Sequence, residues 1–277
     1  MSLLKRFLDF YINSSLHVAL AVVSFCILTT YEFSLNTSLN FYSALFFASV
    51  AGYNFVKYFG LTKFYYRSLT TKLKYIQLVS VLSLIGFGFV FFRLQPKSQF
   101  LFLILGVITF LYAIPMGVKM PHNLRSIGGV KIYIIALVWA MATVVLPVLE
   151  SQQTLVADHW VLVLQRTFFV IVLMLPFEIR DLDTDQLQLS TIPQKIGIPY
   201  TKIIGYAMLG DIILLEFFKL EFNQNRFLIL VFSVALLATF LAKSTKKRTR
   251  YYSAFWVESV PILTLILGIV LSLIQKT

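Results

Sequence analysis

Between Glu178 and Asp185 the chain carries four of its twelve acidic residues, in the run Glu178-Ile179-Arg180-Asp181-Leu182-Asp183-Thr184-Asp185. The run directly follows an apolar stretch long enough to cross a membrane. If that stretch stays helical through the run, Glu178, Asp181 and Asp185 fall within roughly 60° of one another, at about 100° per residue, and Asp183 points nearly opposite. Three carboxylates on one face repel unless a cation or a cationic partner lies between them. Hard oxygen ligands of this kind suit Mg²⁺, which is commonly held by few carboxylates together with substrate phosphates. A solvated helix end, neutralised by Arg180 and Lys195, is the alternative reading.

The elements that must position this run are membrane helices. The chain is 58% hydrophobic and only 13% charged, outside the range of soluble globular domains. A bilayer crossing needs about 20 mostly apolar helical residues. Such segments run approximately over 14–30, 41–59, 75–93, 99–116, 130–149, 160–177, 199–218, 226–242 and 254–274. The expected fold is therefore all-α: one polytopic bundle of about nine transmembrane helices over residues 1–277, with a cavity opening toward the cytoplasm. Cys26 stands alone within an apolar span, so no disulfide framework or thiolate site is expected. Lys5 and Arg6 precede the first span, but no small-residue cleavage pattern follows, so that span is read as retained.

The formal net charge of +12 reads as membrane orientation. Basic residues gather at alternate span ends: Lys5 and Arg6, then Lys63, Arg67, Lys72 and Lys74, then Lys119, Arg125 and Lys131, then Arg180, Lys195 and Lys202, and last the block from Lys243 to Arg250. The opposite ends hold only Arg93, Lys97, Lys219, Arg226 and Lys276. The positive-inside rule then puts the N-terminus in the cytoplasm, the C-terminus outside and the acidic run on the cytoplasmic side. The expected setting is a bacterial cytoplasmic (inner) membrane. The 243–250 block is read as facing anionic membrane lipids, with no nucleic-acid partner.

The acidic run, followed by Thr191-Ile192-Pro193 and Ile196-Gly197, resembles the second aspartate-rich motif of the UbiA-type prenyltransferases. Leu111-Tyr112-Ala113-Ile114-Pro115, with Lys119 and Leu124-Arg125, is similar to that family's connection after its fourth helix. The resemblance covers essentially the whole chain. It implies transfer of a prenyl group from a prenyl diphosphate to a lipid-soluble acceptor, often an aromatic ring of a quinone precursor. Mg²⁺ held by two acidic motifs would neutralise the diphosphate as the allylic C–O bond breaks. Carried over by position, Glu178, Asp181 and Asp185 would be metal ligands, with Asp181 and Tyr112 at the reacting centre. Lys119 and Arg125 would face the diphosphate.

The first motif departs from the family. It should begin Asn-Asp, with carboxylates three and seven residues after that Asp. Asn54 is kept, but Phe55, Tyr58 and Thr62 hold the carboxylate places, and no acidic residue occurs between Glu32 and Glu150. Glu178 also stands where aspartate is usual, and no glycine follows soon after Asp185. Two readings follow. Asn54, Lys57 and Lys63 could hold the diphosphate directly, beside one remaining metal cluster, although an ammonium binds phosphate only as a point charge. Alternatively, the protein has abandoned transfer and binds an isoprenoid or a partner in the same cavity.

Other residues carry secondary expectations. Arg166 and Asp211 lie within neighbouring spans, where an unpaired charge costs on the order of 3 kcal/mol, and a pair between them is expected. A transporter using that pair is a third, weaker reading of the chain. Glu258 could reach Lys57 or Lys131, or accept a proton from an acceptor ring. Tyr53, Tyr58 and Tyr112 are placed to line a cytoplasmic cavity. His17, His122 and His159 show no ligand spacing.

Overall fold

The structure, a computed structural model, describes residues 3–64, 71–114, 129–183 and 191–274. The expectations placed on Pro115, Lys119, Arg125, His122 and Asp185, and on the side chain of Lys63, lie outside the described residues. In chain order the helices are α1 (Leu3–Asn13), α2 (Leu16–Glu32), α3 (Leu39–Phe64), α4 (Thr71–Phe91), α5 (Pro96–Ala113), α6 (Val130–Ala140), α7 (Leu146–Glu150), α8 (Ala157–Asp181), α9 (Ile192–Glu216), α10 (Gln224–Lys243) and α11 (Val260–Ile274). Single π-helical turns join α6 to α7 (Met141–Val145) and lead into α11 (Tyr252–Val257). No strand occurs among the described residues. The protein is an all-α, polytopic membrane bundle.

The helix bounds follow the apolar segments closely, because a span's length is set by bilayer thickness and each backbone group must be satisfied within its own helix. The expected count of nine is not reached on apolarity. Seven of the described helical segments are long and apolar enough to cross, or eight if the bent pair α1–α2 makes one span. The segment at 41–59 falls on α3, which is 26 residues long but is diluted by Asn40, Asn54 and Lys57.

The core lies along α6, α7 and α8, whose Ile132, Leu146, Leu173, Leu175 and Ile179 are fully buried. α4 and α5 instead turn Leu82, Ile85, Phe89, Leu103 and Val107 outward, as lipid-facing helices can. Buried Ala21, Ala44, Ala136 and Ala140 bring neighbouring backbones close, the usual packing device where lipid offers apolar side chains no hydrophobic driving force.

Two irregular places matter for the site. α1 and α2 are bent by 59° at Ser14-Ser15, where Ser15 takes a left-handed backbone conformation with φ 61°. α9 opens with a short turn that Gly197 interrupts at φ 77°, a conformation that a side chain would strain. The Thr-Ile-Pro and Ile-Gly residues after the acidic run thus start and then redirect α9.

Candidate functional site

An apolar cavity of about 370 Å³ lies between α2, α3, α4, α5 and α6, within the size range of small-molecule sites, about 300–1,000 Å³. Its walls include Phe55, Phe102, Phe110 and Trp139, with Tyr53 and Tyr112 as its aromatic hydroxyls. Phe55 stacks on Phe110 across the α3–α5 gap, their ring centroids 5.8 Å apart. Trp139 meets Tyr53 edge-on and donates its indole N–H to the Tyr53 hydroxyl. Phe55, Phe110 and Tyr112 sit toward the ends of α3 and α5 that share one end of the bundle with the acidic run, so the cavity runs toward that end. Tyr112 is buried in this wall.

Asn54 and Lys57 do something else. The bend at Ser14-Ser15 interrupts the helix inside the bundle, and the last carbonyls of α1 lose their regular helical donors, the Ile12 carbonyl keeping the Ser15 N–H at 3.2 Å. In a bilayer such groups need protein partners. Asn54 Nδ2 donates to the Ser14 carbonyl at 3.0 Å and to Ser80 Oγ at 2.9 Å. Lys57 Nζ donates to the Ile12 carbonyl and to Ser15 Oγ, both at 3.2 Å. The Tyr58 hydroxyl donates to the Asn13 carbonyl at 2.9 Å. Of the positions that match the family's first motif, Asn54 and Tyr58 therefore serve as caps for the α1–α2 break, with Lys57 beside them. Asn54 Oδ1 remains buried without a partner among the described residues.

The second motif is only partly held on a helix. α8 stops at Asp181, and Leu182 and Asp183 form a turn, so the continuous helix that would bring Asp185 onto the same face ends before reaching it. Glu178 and Asp181 do stand one turn apart. Glu178 is buried, and its Oε2 accepts from the Ile192 N–H at 3.3 Å. Asp181 accepts two bonds from Arg180, each 2.6 Å. Asp183, which points elsewhere, pairs with Lys246 at 2.6 Å. Among the described residues no group of three His, Cys, Asp or Glu side chains could hold a metal ion, and α3 has no carboxylate to face α8. The described residues thus do not complete the two-cluster Mg²⁺ site that the resemblance implies.

Beside this end of the cavity lies a cluster mostly of cations. Arg180 also donates to Ser253 Oγ, on the π-turn before α11. The Arg250 guanidinium donates to Asn13 Oδ1. Half-buried Glu258 is the carboxylate these cations face, with Lys57 acting on it most strongly, then Arg180 and Arg250. Lys57, rather than Lys131, is therefore its cationic neighbour. His17 ties three elements together, its Nε2 donating to the Phe255 carbonyl at 2.9 Å and its Nδ1 facing the Tyr11 hydroxyl at 3.0 Å. Just outside the α11 span, the hydrogen bond that the Tyr251 phenol donates to Asp9 pushes its pKa above the usual value.

The expected Arg166–Asp211 pair is not made. Asp211 is exposed on α9, whereas the buried Arg166 guanidinium lies 3.8 Å above the Phe25 ring and donates to Thr29 Oγ1 at 3.3 Å. A cation over an aromatic face is itself stabilised, by about 2 kcal/mol when desolvated, which offsets part of the cost of burying Arg166 without a carboxylate beside it. Trp139, the Ser14-Ser15 break and the two π-turns were not foreseen as parts of the site. Pro147 and Pro261, each lacking an N–H donor just after a π-turn, were the available signal.

No protein-family model matches this sequence, and no curated protein is detectably similar to it. Solved structures are similar in fold. The apo structure of a UbiA homolog from Aeropyrum pernix K1 superposes with a TM-score of 0.68 at 14% identity, covering 93% of this chain and 98% of that one. A UbiA homolog from Archaeoglobus fulgidus bound to GPP and Mg²⁺ gives 0.61 at 12% identity, over 93% of this chain and 98% of that one. A digeranylgeranylglyceryl phosphate synthase gives 0.59 at 14% identity, over 96% and 97%. At such identities the likeness speaks for architecture alone, and it spans nearly all of both chains: the protein has the UbiA-type fold.

Proposed function

We propose that this chain binds a prenyl diphosphate, with the prenyl tail in the 370 Å³ cavity, and transfers the prenyl group to a lipid-soluble acceptor such as an aromatic quinone precursor. The cavity carries the reading: it is apolar, of ligand size, walled by aromatic rings, and it runs toward the end of the bundle where acidic and basic groups gather. The GPP and Mg²⁺ bound to the Archaeoglobus fulgidus homolog support the ligand class. In the proposed step the allylic C–O bond breaks, the diphosphate leaves with the electron pair, and the acceptor forms the new bond and loses a proton. The faces of Tyr53 and Tyr112 suit a developing allylic cation. Lys119, Arg125 and Lys57 are the proposed counter-charges for the diphosphate, and Mg²⁺ at Glu178, Asp181 and Asp185 would add to them. The proposed orientation keeps this end in the cytoplasm, with the N-terminus inside and the C-terminus outside a bacterial inner membrane, and the chain as one domain.

A second reading, isoprenoid binding without transfer, is favoured by the engagement of Asn54, Lys57 and Tyr58 at the α1–α2 break. One experiment separates the two. Protein in lipid nanodiscs is given prenyl diphosphates and aromatic acceptors, with and without Mg²⁺, and pyrophosphate release is followed. Acceptor-dependent release that Asp181→Asn with Asp185→Asn abolishes supports the transferase. Binding of prenyl diphosphate without release supports the second reading, and absence of both overturns the proposal.

A further inference from the structure

A second, smaller cavity of about 80 Å³ lies toward the end of the bundle remote from the acidic run, between α2, α8, α9, α10 and α11. Its polar lining is Glu32, Gln165, Arg166, Glu216, Lys219 and Arg226. Lys219 Nζ bridges Glu32 at 2.6 Å and Glu216 at 2.7 Å. Gln165 Nε2 donates to Glu216 Oε2 at 3.0 Å and to the Ile212 carbonyl at 2.9 Å. Both carboxylates are thus bound to one lysine. Arg166 makes no ion pair among the described residues, and the Arg226 guanidinium reaches only the carbonyls of Glu32 and Glu221. Three cations face two carboxylates, which leaves one positive charge.

Charge left over at this depth is costly unless something neutralises it. Two side-chain atoms of lining residues add a chemical preference. Gln165 is 2% exposed, and among the described residues its Oε1 is buried with no hydrogen-bond partner, as is Arg226 Nε. The first needs a donor and the second an acceptor. The cavity is also far larger than the roughly 10–15 Å³ that one water requires.

We propose that this cavity is a binding site for a small monoanion that carries its own hydrogen-bond donor, the class of dihydrogen phosphate, with Arg166 and Arg226 meeting its charged oxygens and Gln165 Oε1 accepting its O–H. The site is separate from the prenyl cavity and independent of the reading given for it. The same headgroup chemistry occurs in free phosphate and in a phosphomonoester lipid.

The test uses the full chain in detergent at slightly acid pH. Binding of inorganic phosphate, sulfate and chloride is measured by calorimetry and by the shift in thermal unfolding at matched ionic strength. Phosphate should bind saturably, sulfate and chloride should not, and Arg166→Gln should weaken phosphate binding about tenfold or more, the scale of one charge-assisted hydrogen bond. Arg226→Gln, at a half-buried position near the start of α10, should weaken it too and serves if the first variant does not fold. Sulfate binding as well as phosphate, no saturable phosphate binding, or full phosphate binding in a folded variant would each overturn the proposal. Short-chain phosphatidate that competes with phosphate and binds more tightly identifies a lipid headgroup as the natural source; failure to compete identifies the free ion.

Discussion

If the large cavity holds a prenyl tail, filling it should select against long tails. Gly52 lies on α3 in the cavity wall, and a Cβ built there would meet only Thr109 Cγ2, at an ordinary 3.7 Å. The Cβ of Gly52→Leu therefore enters without moving the backbone, and replacing glycine within a helix favours folding by a few tenths of a kcal/mol or more. The new side chain brings about four carbons into the cavity, and displacing a similar number of tail carbons at about 0.8 kcal/mol each costs about 3 kcal/mol, or roughly 100-fold in Kd. A geranylgeranyl diphosphate should show that loss, and a dimethylallyl diphosphate, which leaves most of the 370 Å³ unused, should lose far less. Gly88→Leu on α4 is the control, because its Cβ meets nothing within 4 Å and the residue is not in the cavity wall. Equilibrium binding of both ligands to protein in nanodiscs reads the difference. Equal affinity of Gly52→Leu and Gly88→Leu for the long ligand would refute the placement of the tail.

Two further outcomes follow from the packing. At Gly205 on α9 a Cβ would fall 2.5 Å from Leu241 Cδ2 and 2.9 Å from Leu175 Cδ1, and both leucines are fully buried, so Gly205→Ala should destabilise by about 1–3 kcal/mol, seen as earlier thermal unfolding in detergent. Lys57→Met removes the charged donor from the Ile12 carbonyl and Ser15 Oγ; hydrogen exchange at Ser14 and Ser15 should speed up by the equivalent of about 1.5–3 kcal/mol, and unchanged exchange would show that the lysine does not hold the break.

The sequence by itself determined the architecture. An apolar segment of bilayer length must be a helix wherever it lies in the fold, so the spans read from residues 75–93 or 226–242 agree with α4 and α10 to within a few residues. That residue 112 and the start of the acidic run lie at helix ends was legible for a similar reason, since hydropathy alone locates those ends. Partnership was not legible. From the sequence Asn54, Lys57 and Tyr58 read only as groups facing a cavity; that they also hold the carbonyls where α1 breaks, about 40 residues earlier in the chain, is visible only in the fold. The spacing of Asp181 suits a metal ligand, but only the structure shows Arg180 lying across both of its oxygens. Arg166 finds an aromatic face on α2 in place of a carboxylate on α9. In each case the outcome depends on which polar group a neighbouring helix presents at the same depth, where no water competes and every buried donor or charge must find its partner in the protein.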